Sequence, residues 1–170
     1  MPLLGVTGSV MATVEAAGKR FSRLVEQRGK QLQHALVAAL GPEIGAEATS
    51  EALAYGWEHW DRLDSMDNPM GYLFTVGRNW GRRQFRRRTV SRFPAPEGVH
   101  MSDPRVEPAL PAALAGLSER QRVATVLVHG VGWTTAEVAD LLGIGRGSVH
   151  KHAERGLRRL RAALGVTTDA

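Results

Sequence analysis

The stretch NPMGYLFTVGRN, residues 68–79, decides how this chain folds. Pro69 suits the first turn of a helix, because its missing N–H would have no intrahelical partner there. Leu73, Gly77 and Trp80 follow at helical spacing, and a block of arginines comes next. Residues 78–92 hold seven arginines and no acid. The pattern predicts a helix that combines aromatic rings with a strongly cationic surface.

A second cationic segment lies near the C-terminus. Residues 146–161 hold six lysines and arginines and one glutamate, which gives +5, while residues 78–92 give +7. The whole chain carries only +5, so the remaining residues carry −7 (5 minus 12). This asymmetry predicts two surfaces that bind polyanions and a separate acidic surface for another partner.

The composition of the 170 residues excludes several classes of protein. The chain has no cysteine, which excludes disulfides and cysteine-based zinc sites. No basic region precedes the mildly apolar start, so a secretory signal is not predicted. No apolar run approaches the roughly 20 residues of a membrane span. We therefore expect a cytoplasmic protein that does not enter a membrane.

Helical periodicity and turn signals divide the chain into two parts. No useful strand-like alternation is present, so the predicted fold is all-α. Prolines at positions 94, 96 and 104 mark a flexible linker between two small helical domains. The predicted parts are a loose tail over 1–18, a first domain over 19–88, the linker over 89–107, a second domain over 108–165 and a tail over 166–170. Within the first domain the spacing predicts helices over 19–40 and 44–62.

The second domain shows a helix-turn-helix pattern. Ser118 with Gln121, and Thr134 with Glu137, have the spacing of capping boxes at two helix starts. A glycine-containing turn over 143–145 then leads into a last helix over 146–164. Its apolar residues fall on one side, and its polar and cationic residues face away from them. The competing interpretation is an ordinary amphipathic helix whose solvent-exposed side carries basic residues. The candidate duplex-binding residues are Arg146, Ser148, His150, Lys151, Arg155, Arg158 and Arg159.

The central helix offers the two features that bind single-stranded DNA, a positive groove and rings that stack on bases. A plain basic helix that binds duplex is the competing interpretation. Trp57 and Phe74 are predicted to be core, whereas the spacing leaves Tyr72 and Trp80 open between the core and the basic face. The polar loop over 64–68 has the composition of a pocket for an extruded base.

Both halves resemble the extracytoplasmic-function sigma factors of bacteria. Residues 68–79 are close to that family's Asn-Pro-x-x-Trp/Tyr-Leu-hydrophobic-x-hydrophobic-Ala/Gly-Arg-Asn pattern in region two. Residues 117–122, Leu-Ser-Glu-Arg-Gln-Arg, resemble the opening of its region four. Residues 147–151, Gly-Ser-Val-His-Lys, stand where the family has Gly-Thr-Val-Lys-Ser. The resemblance covers about residues 20–88 and 108–164.

The resemblance implies a sigma factor that binds RNA polymerase core and directs it to promoter DNA. Region two would melt and read the minus-ten element, and region four would read the minus-thirty-five element as duplex. The implied contacts on polymerase are the coiled coil of its largest subunit and its flap, and an anti-sigma protein is a further expected partner. No metal or cofactor is implied. The implied minus-ten residues are Asp64, Asn68, Tyr72, Arg78, Trp80, Arg82, Arg83 and Arg86. The implied polymerase-binding residues are Glu47, Ser50, Glu51, Tyr55 and Glu58.

Two alternatives stay open from the sequence. Ser50 stands where the family's core-binding helix has glutamine, and its shorter side chain lacks the amide donor and acceptor. A regulator that binds DNA and no longer engages polymerase is therefore one alternative. A DNA-processing enzyme with a helix-turn-helix is the other. Its chemistry needs clustered carboxylates or an activated nucleophile, whereas the acids here are spread along helices and the six histidines show no ligand spacing. We therefore do not expect an enzyme.

Overall fold

The computed structural model describes residues 5–87 and 108–166, and side chains within 14–86 and 108–166. Every regular element in these ranges is helical, which confirms the predicted all-α fold. The elements are α1 (Gly5–Leu40), α2 (Pro42–Glu58), α3 (Trp60–Leu63), α4 (Pro69–Arg87), α5 (Leu110–Ala115), α6 (Glu119–Thr125), a π-helical turn (Val126–Gly130), α7 (Thr135–Leu142) and α8 (Arg146–Ala163). The predicted linker over 89–107 and most of the C-terminal tail lie outside the described residues.

Helices α1, α2 and α4 form the first bundle. Its core takes leucines 32, 36 and 40 from α1, alanines 48 and 52 from α2, and Leu73 with Phe74 from α4. Gly77 allows α4 to approach closely, because a Cβ there would lie 2.8 Å from a methyl of Leu36 and 2.9 Å from the carbonyl oxygen of Ala48. The predicted burial of Phe74 is confirmed.

The first helix is longer than predicted. α1 begins at Gly5, so residues 5–18 are helical where the sequence predicted a loose tail. The three glycines in that segment suggested a break, but no proline lies between positions 3 and 41, and alanines support the helix. Glu15 and Lys19 add an ion pair of 2.7 Å at the favourable i, i+4 spacing. Gly18 leaves room for the ring of Trp57, which lies 3.1 Å from the position of an added Cβ.

The prediction that Trp57 belongs to the core is wrong. Its side chain is 58% exposed, and it meets Phe21 edge-on with ring centroids 5.7 Å apart. The predicted helix over 44–62 is broken at His59, whose φ of −119° and ψ of 22° are not helical. The chain continues as α3, which places Trp60 inside the bundle, 7% exposed, against the other side of Phe21.

Helices α6, α7 and α8 form the predicted helix-turn-helix bundle. Both predicted capping boxes are present, at Ser118 with Gln121 and at Thr134 with Glu137. The backbone N–H of Thr134 donates to the carboxylate of Glu137 at 2.8 Å, and this bond lowers the pKa of that carboxyl. Gly143 ends α7 in the left-handed region at φ 63°, which glycine adopts without a steric penalty.

The two bundles are packed against each other, which the sequence did not predict. α6 lies on α1, α7 lies on α4, and the buried side chains of both bundles form one connected core. The guanidinium of Arg122, 2% exposed, reaches from α6 to the end of α1. It donates to the carbonyl oxygens of Ala38 and Ala39, both at 2.8 Å. The two predicted domains are therefore in contact with each other in this packed state.

We expect Gly156→Ala to destabilise the protein. Alanine in a helix interior normally gains about 1 kcal/mol over glycine. At Gly156, however, the added Cβ would overlap the hydroxyl oxygen of Thr125 on α6 and lie 3.1 Å from the carbonyl oxygen of Gln121. Overpacking of this kind costs about 1–3 kcal/mol. Urea unfolding followed by circular dichroism measures the change. Gly147→Ala is the matched control in α8, because its added Cβ would meet no described atom within 4 Å apart from its chain neighbours and the backbone of its own helix. Equal effects of the two substitutions would contradict the close contact.

Candidate nucleic-acid interface

Helix α8 presents a cationic face to solvent. Its buried side is formed by Val149, Ala153, Gly156 and Leu160. All seven residues predicted to bind duplex DNA are exposed: Arg146, Ser148, His150, Lys151, Arg155, Arg158 and Arg159. Arg159 is partly engaged inside the bundle, since it donates to the side chain of Gln121 at 3.2 Å. An exposed helix face that carries such residues has the form of a recognition helix for the major groove.

The cations of α4 are divided between two environments. Arg83 and Arg86 are exposed to solvent. Arg78 and Arg82 instead point toward α6, where both meet the carboxylate of Glu119. Arg82 donates to the two carboxylate oxygens at 3.0 and 2.9 Å, and Arg78 lies 3.7 Å from one of them. The predicted cationic groove is therefore only half available in this packed state.

Arg78 is the most constrained of these arginines. Its guanidinium lies 5.7 Å from the centre of the Phe74 ring and is 27% exposed. Burial is the main cause that lowers its pKa, and the neighbouring charge of Arg82 lowers it further, whereas Glu119 acts in the opposite direction. Two guanidinium groups in one partly dehydrated space repel each other, and the single carboxylate of Glu119 lies between them.

The polar loop predicted as a base pocket is also engaged. Asp64 accepts a bond of 2.7 Å from Arg20 of α1. Asn68 caps α4, because its side-chain oxygen accepts from the backbone N–H of Gly71 at 2.9 Å. Its amide nitrogen donates to the backbone carbonyl of Asp140, in α7, at 2.6 Å. Asn68 would have to exchange partners before it could hold a base.

The aromatic side chains near α4 lie at the edge of the core. Tyr72 and Trp80, which the sequence left open between core and basic face, are both half-buried. The hydroxyl groups of Tyr72 and Tyr55 are hydrogen-bonded at 3.3 Å, and this bond is the main cause that raises the pKa of Tyr55. Tyr55 also stacks on His59 with ring centroids 4.1 Å apart. The hydrogen bond between Tyr55 and Tyr72 therefore connects a predicted polymerase-binding residue to a predicted DNA-binding residue.

The residues predicted to bind polymerase lie along α2. Ser50, Glu51 and Glu58 are exposed, and Glu47 is half-buried. Ser50 turns its hydroxyl back to the carbonyl oxygen of Ala46 at 3.4 Å. This bond uses the hydroxyl proton, so Ser50 can offer a partner only its acceptor lone pairs.

Sequence reasoning missed the residues that join the two bundles. Glu119 was noted only as part of a capping motif, and Arg122 only as part of the resemblance to region four. Their partners lie 37 and more than 80 residues away in the chain. No local pattern connects positions at such separations, so no signal in a single sequence identifies these pairs.

Comparisons with known proteins agree on one family. A family model described as sigma-70, region 4 matches residues 113–162. The ECF RNA polymerase sigma factor SigL from three strains of Mycobacterium tuberculosis is 33% identical over 171 residues, covering 92% of this chain and 96% of SigL. The sigma factor RpoE, solved in complex with the anti-sigma factor NepR from Bartonella quintana, has a TM-score of 0.61 at 22% identity, covering 88% of this chain and 99% of that chain. This last likeness supports the fold. None of the described helices is long and apolar enough to cross a membrane.

We expect Arg155→Gln to weaken binding to duplex DNA of any sequence. Removing one phosphate contact should lower the slope of log affinity against log salt by about 1. Fluorescence anisotropy with a labelled duplex over a range of NaCl concentrations measures that slope. Arg23→Gln is the matched control, since Arg23 is an exposed arginine of α1 and makes the same charge change. A slope equal to that of the unsubstituted chain would exclude a phosphate contact at Arg155.

Proposed function

The chain belongs to the extracytoplasmic-function family of RNA polymerase sigma factors, and we propose that it binds polymerase core and directs it to promoter DNA. The observation that carries the proposal is the 33% identity to SigL along 92% of this chain, which includes both bundles. The match to sigma-70 region 4 supports it independently in the second bundle. The family resemblance predicted from the sequence is confirmed.

We propose that α4 and the loop before it melt and read the minus-ten element. The helix supports this role with four arginines, Arg78, Arg82, Arg83 and Arg86, beside the half-buried rings of Tyr72 and Trp80. Positive charge next to aromatic rings binds single-stranded DNA with little need for base-specific hydrogen bonds. Asp64 and Asn68 at the start of α4 would then meet the extruded base.

We propose that α8 reads the minus-thirty-five element as duplex. Arg146, Ser148, His150 and Lys151 occupy the N-terminal half of the helix, where a recognition helix meets base edges. Arg155 and Arg158 lie further along the exposed side and would contact phosphates. Their exposure in the packed state means that α8 can meet duplex without rearrangement of its own bundle.

We propose that polymerase core binds the acidic side of α2, through Glu47, Ser50, Glu51, Tyr55 and Glu58, and that its flap binds the second bundle. No comparison supports the alternative of a regulator that binds DNA and no longer binds polymerase. The structural neighbour RpoE was solved with an anti-sigma factor, and we propose that a protein of that kind also controls this chain. We further propose that the chain acts in the cytoplasm and performs no catalysis.

Transcription in vitro tests the main proposal. Core polymerase with the purified chain should give run-off products from a small set of genomic fragments, and core alone should not. Because α8 is assigned to the upstream element, Lys151→Gln should reduce these products, whereas Arg23→Gln should leave them unchanged. The proposal would be wrong if the chain left the set of transcribed fragments unaltered.

Restoring glutamine at position 50 should strengthen binding to core polymerase. Ser50→Gln adds an amide with both a donor and an acceptor at an exposed position of α2. One additional net hydrogen bond lowers the dissociation constant about two- to tenfold. Titration of labelled chain with core measures the change. Ser22→Gln, at an exposed serine of α1, is the matched control. Equal affinities of the two variants would remove Ser50 from the proposed contact.

A further inference from the structure

Arg20 of α1 reaches across the first bundle to the loop that precedes α4. Its Nε–H donates to Oδ2 of Asp64 at 2.7 Å. The two side chains are 51% and 32% exposed, and ion pairs of such exposure contribute little net stability. The main effect of this ion pair is therefore to fix the orientation of the Asp64 carboxylate.

The backbone around Asp64 is fixed as well as its side chain. Asp64 has α-helical dihedral angles, φ −60° and ψ −26°, and its N–H donates to the carbonyl oxygen of Trp60 at 2.8 Å. The N–H of Met66 donates to the carbonyl oxygen of Leu63 at 3.0 Å, and the side chain of Met66 packs against the core. An ordered turn therefore carries the carboxylate, so a ligand would not have to order it on binding.

The two polar side chains at the start of this turn accept hydrogen bonds and have no free donor. Oδ1 of Asp64 accepts no hydrogen bond from the described residues, and an ionised carboxylate has no donor. Ser65 donates its hydroxyl proton to the carbonyl oxygen of Arg62 at 3.0 Å, which leaves only its lone pairs. Because both side chains are exposed, a donor from outside the chain can reach them.

Nucleobases differ in the donors that they offer to such acceptors. Cytosine, adenine and guanine each carry an exocyclic amino group, whose N–H can donate to a carboxylate. Thymine has no amino group. Its one Watson–Crick donor, N3–H, lies between two carbonyl oxygens, which a carboxylate repels. An extruded base with an amino group therefore fits this turn better than thymine does.

We propose that Asp64 is a specificity-determining residue of the base pocket and selects an extruded base that carries an amino group. The inference rests on the proposed function, which assigns the loop before α4 to that base. In the proposed contact the amino group donates to Oδ1 of Asp64, while Oδ2 stays bonded to Arg20. Arg20 is then a positioning residue, because it acts on the base through Asp64.

The charge of Arg20 also makes an acid at this place compatible with DNA. A carboxylate alone would repel the phosphate of the nucleotide that it holds. A guanidinium has five N–H donors in a planar fork, and Arg20 donates only its Nε–H within the described residues. Its positive charge offsets the repulsion, and its Nη groups remain available to the phosphate.

Binding of single-stranded DNA by the chain in complex with core polymerase tests the selection. The probes are fluorescein-labelled oligothymidines in which one central base is replaced. They form three pairs that differ only in the amino group: cytosine with 2-pyrimidinone, adenine with purine, and guanine with hypoxanthine. Fluorescence anisotropy should show about tenfold tighter binding of the amino-bearing member in at least one pair, because only that member donates to a charged group. Unsubstituted oligothymidine should bind like the probes that lack the amino group.

Substitution of Asp64 should remove this preference. Asp64→Asn replaces the carboxylate by an amide, which carries a donor as well as an acceptor and can therefore match thymine too. The ratio of the affinities within a pair should fall from about ten to about one. Asp61→Asn is the matched control, since Asp61 is an exposed acid of α3 and makes the same change in charge.

Substitution of Arg20 tests the positioning role. Arg20→Gln should lower the same affinity ratio, because the carboxylate loses the donor that orients it, whereas Arg23→Gln should leave the ratio unchanged. Arg20→Lys can still donate to the carboxylate and should restore part of the preference. If Arg20 served stability alone, Arg20→Gln would shift the unfolding transition seen by circular dichroism and leave the ratio unaltered.

The outcomes separate this inference from the proposed function. The minus-ten role of the first bundle fails if core polymerase with the chain binds the probes no more tightly than core alone, or if Arg86→Gln leaves their binding unchanged. Selection by Asp64 is overturned if the probes bind and Arg86→Gln weakens them, yet no pair differs in affinity. It is also overturned if Asp64→Asn and Asp61→Asn give the same affinity ratio.

Discussion

The packed structure depends on one buried guanidinium, that of Arg122. α1 ends at Leu40 because Gly41, with φ 87°, and Pro42 cannot continue it. The last carbonyl oxygens of a helix have no partners within the helix and carry its negative dipole end. Arg122 donates to two of them and to the carbonyl oxygen of Leu117 in its own bundle. Loss of the Arg122 side chain alone would leave these buried carbonyl oxygens unpaired, which costs about 1–3 kcal/mol for each group.

Packing of the two bundles also enlarges the hydrophobic core that each of them would have alone. A helical unit of about 70 residues has a thin core, because a large fraction of its atoms lies at the surface. The joined arrangement connects Leu36 and Phe74 of the first bundle with Leu127 and Val138 of the second in one apolar core. Within the first bundle, glycines allow the closest approach of α4 to α1, at Gly77 against Leu36 and Gly81 against Leu40, where any Cβ would require a shift. The tightly packed first bundle therefore shares its apolar core with the second.

The features predicted correctly from the sequence are those determined by neighbouring residues. Several features follow from interactions between residues no more than four positions apart. They are both capping boxes, Pro69 at the start of α4 and the glycine turn before α8. The exposed cationic side of α8 follows from helical periodicity alone. The errors have a different origin. Trp57 lies off the face of α2 that Ala48, Ala52 and Gly56 bury, and the break at His59 then brings Trp60 into the core instead. Residues 5–18 are helical because no proline interrupts them. Closure of the bundles depends on pairs such as Arg82 with Glu119, which lie 37 residues apart and leave no local pattern.

The distribution of charge links these observations. The sequence predicted that the acids outside the two cationic segments serve another partner, yet one of them, Glu119, serves the chain itself. Its carboxylate reduces the repulsion between Arg78 and Arg82, whose guanidinium groups share a partly dehydrated space. A phosphate between the same two arginines would reduce their repulsion in the same way, so carboxylate and phosphate are alternative anions for one site. On the proposed role of α4, an internal acid and an external polyanion would therefore compete for Arg78 and Arg82.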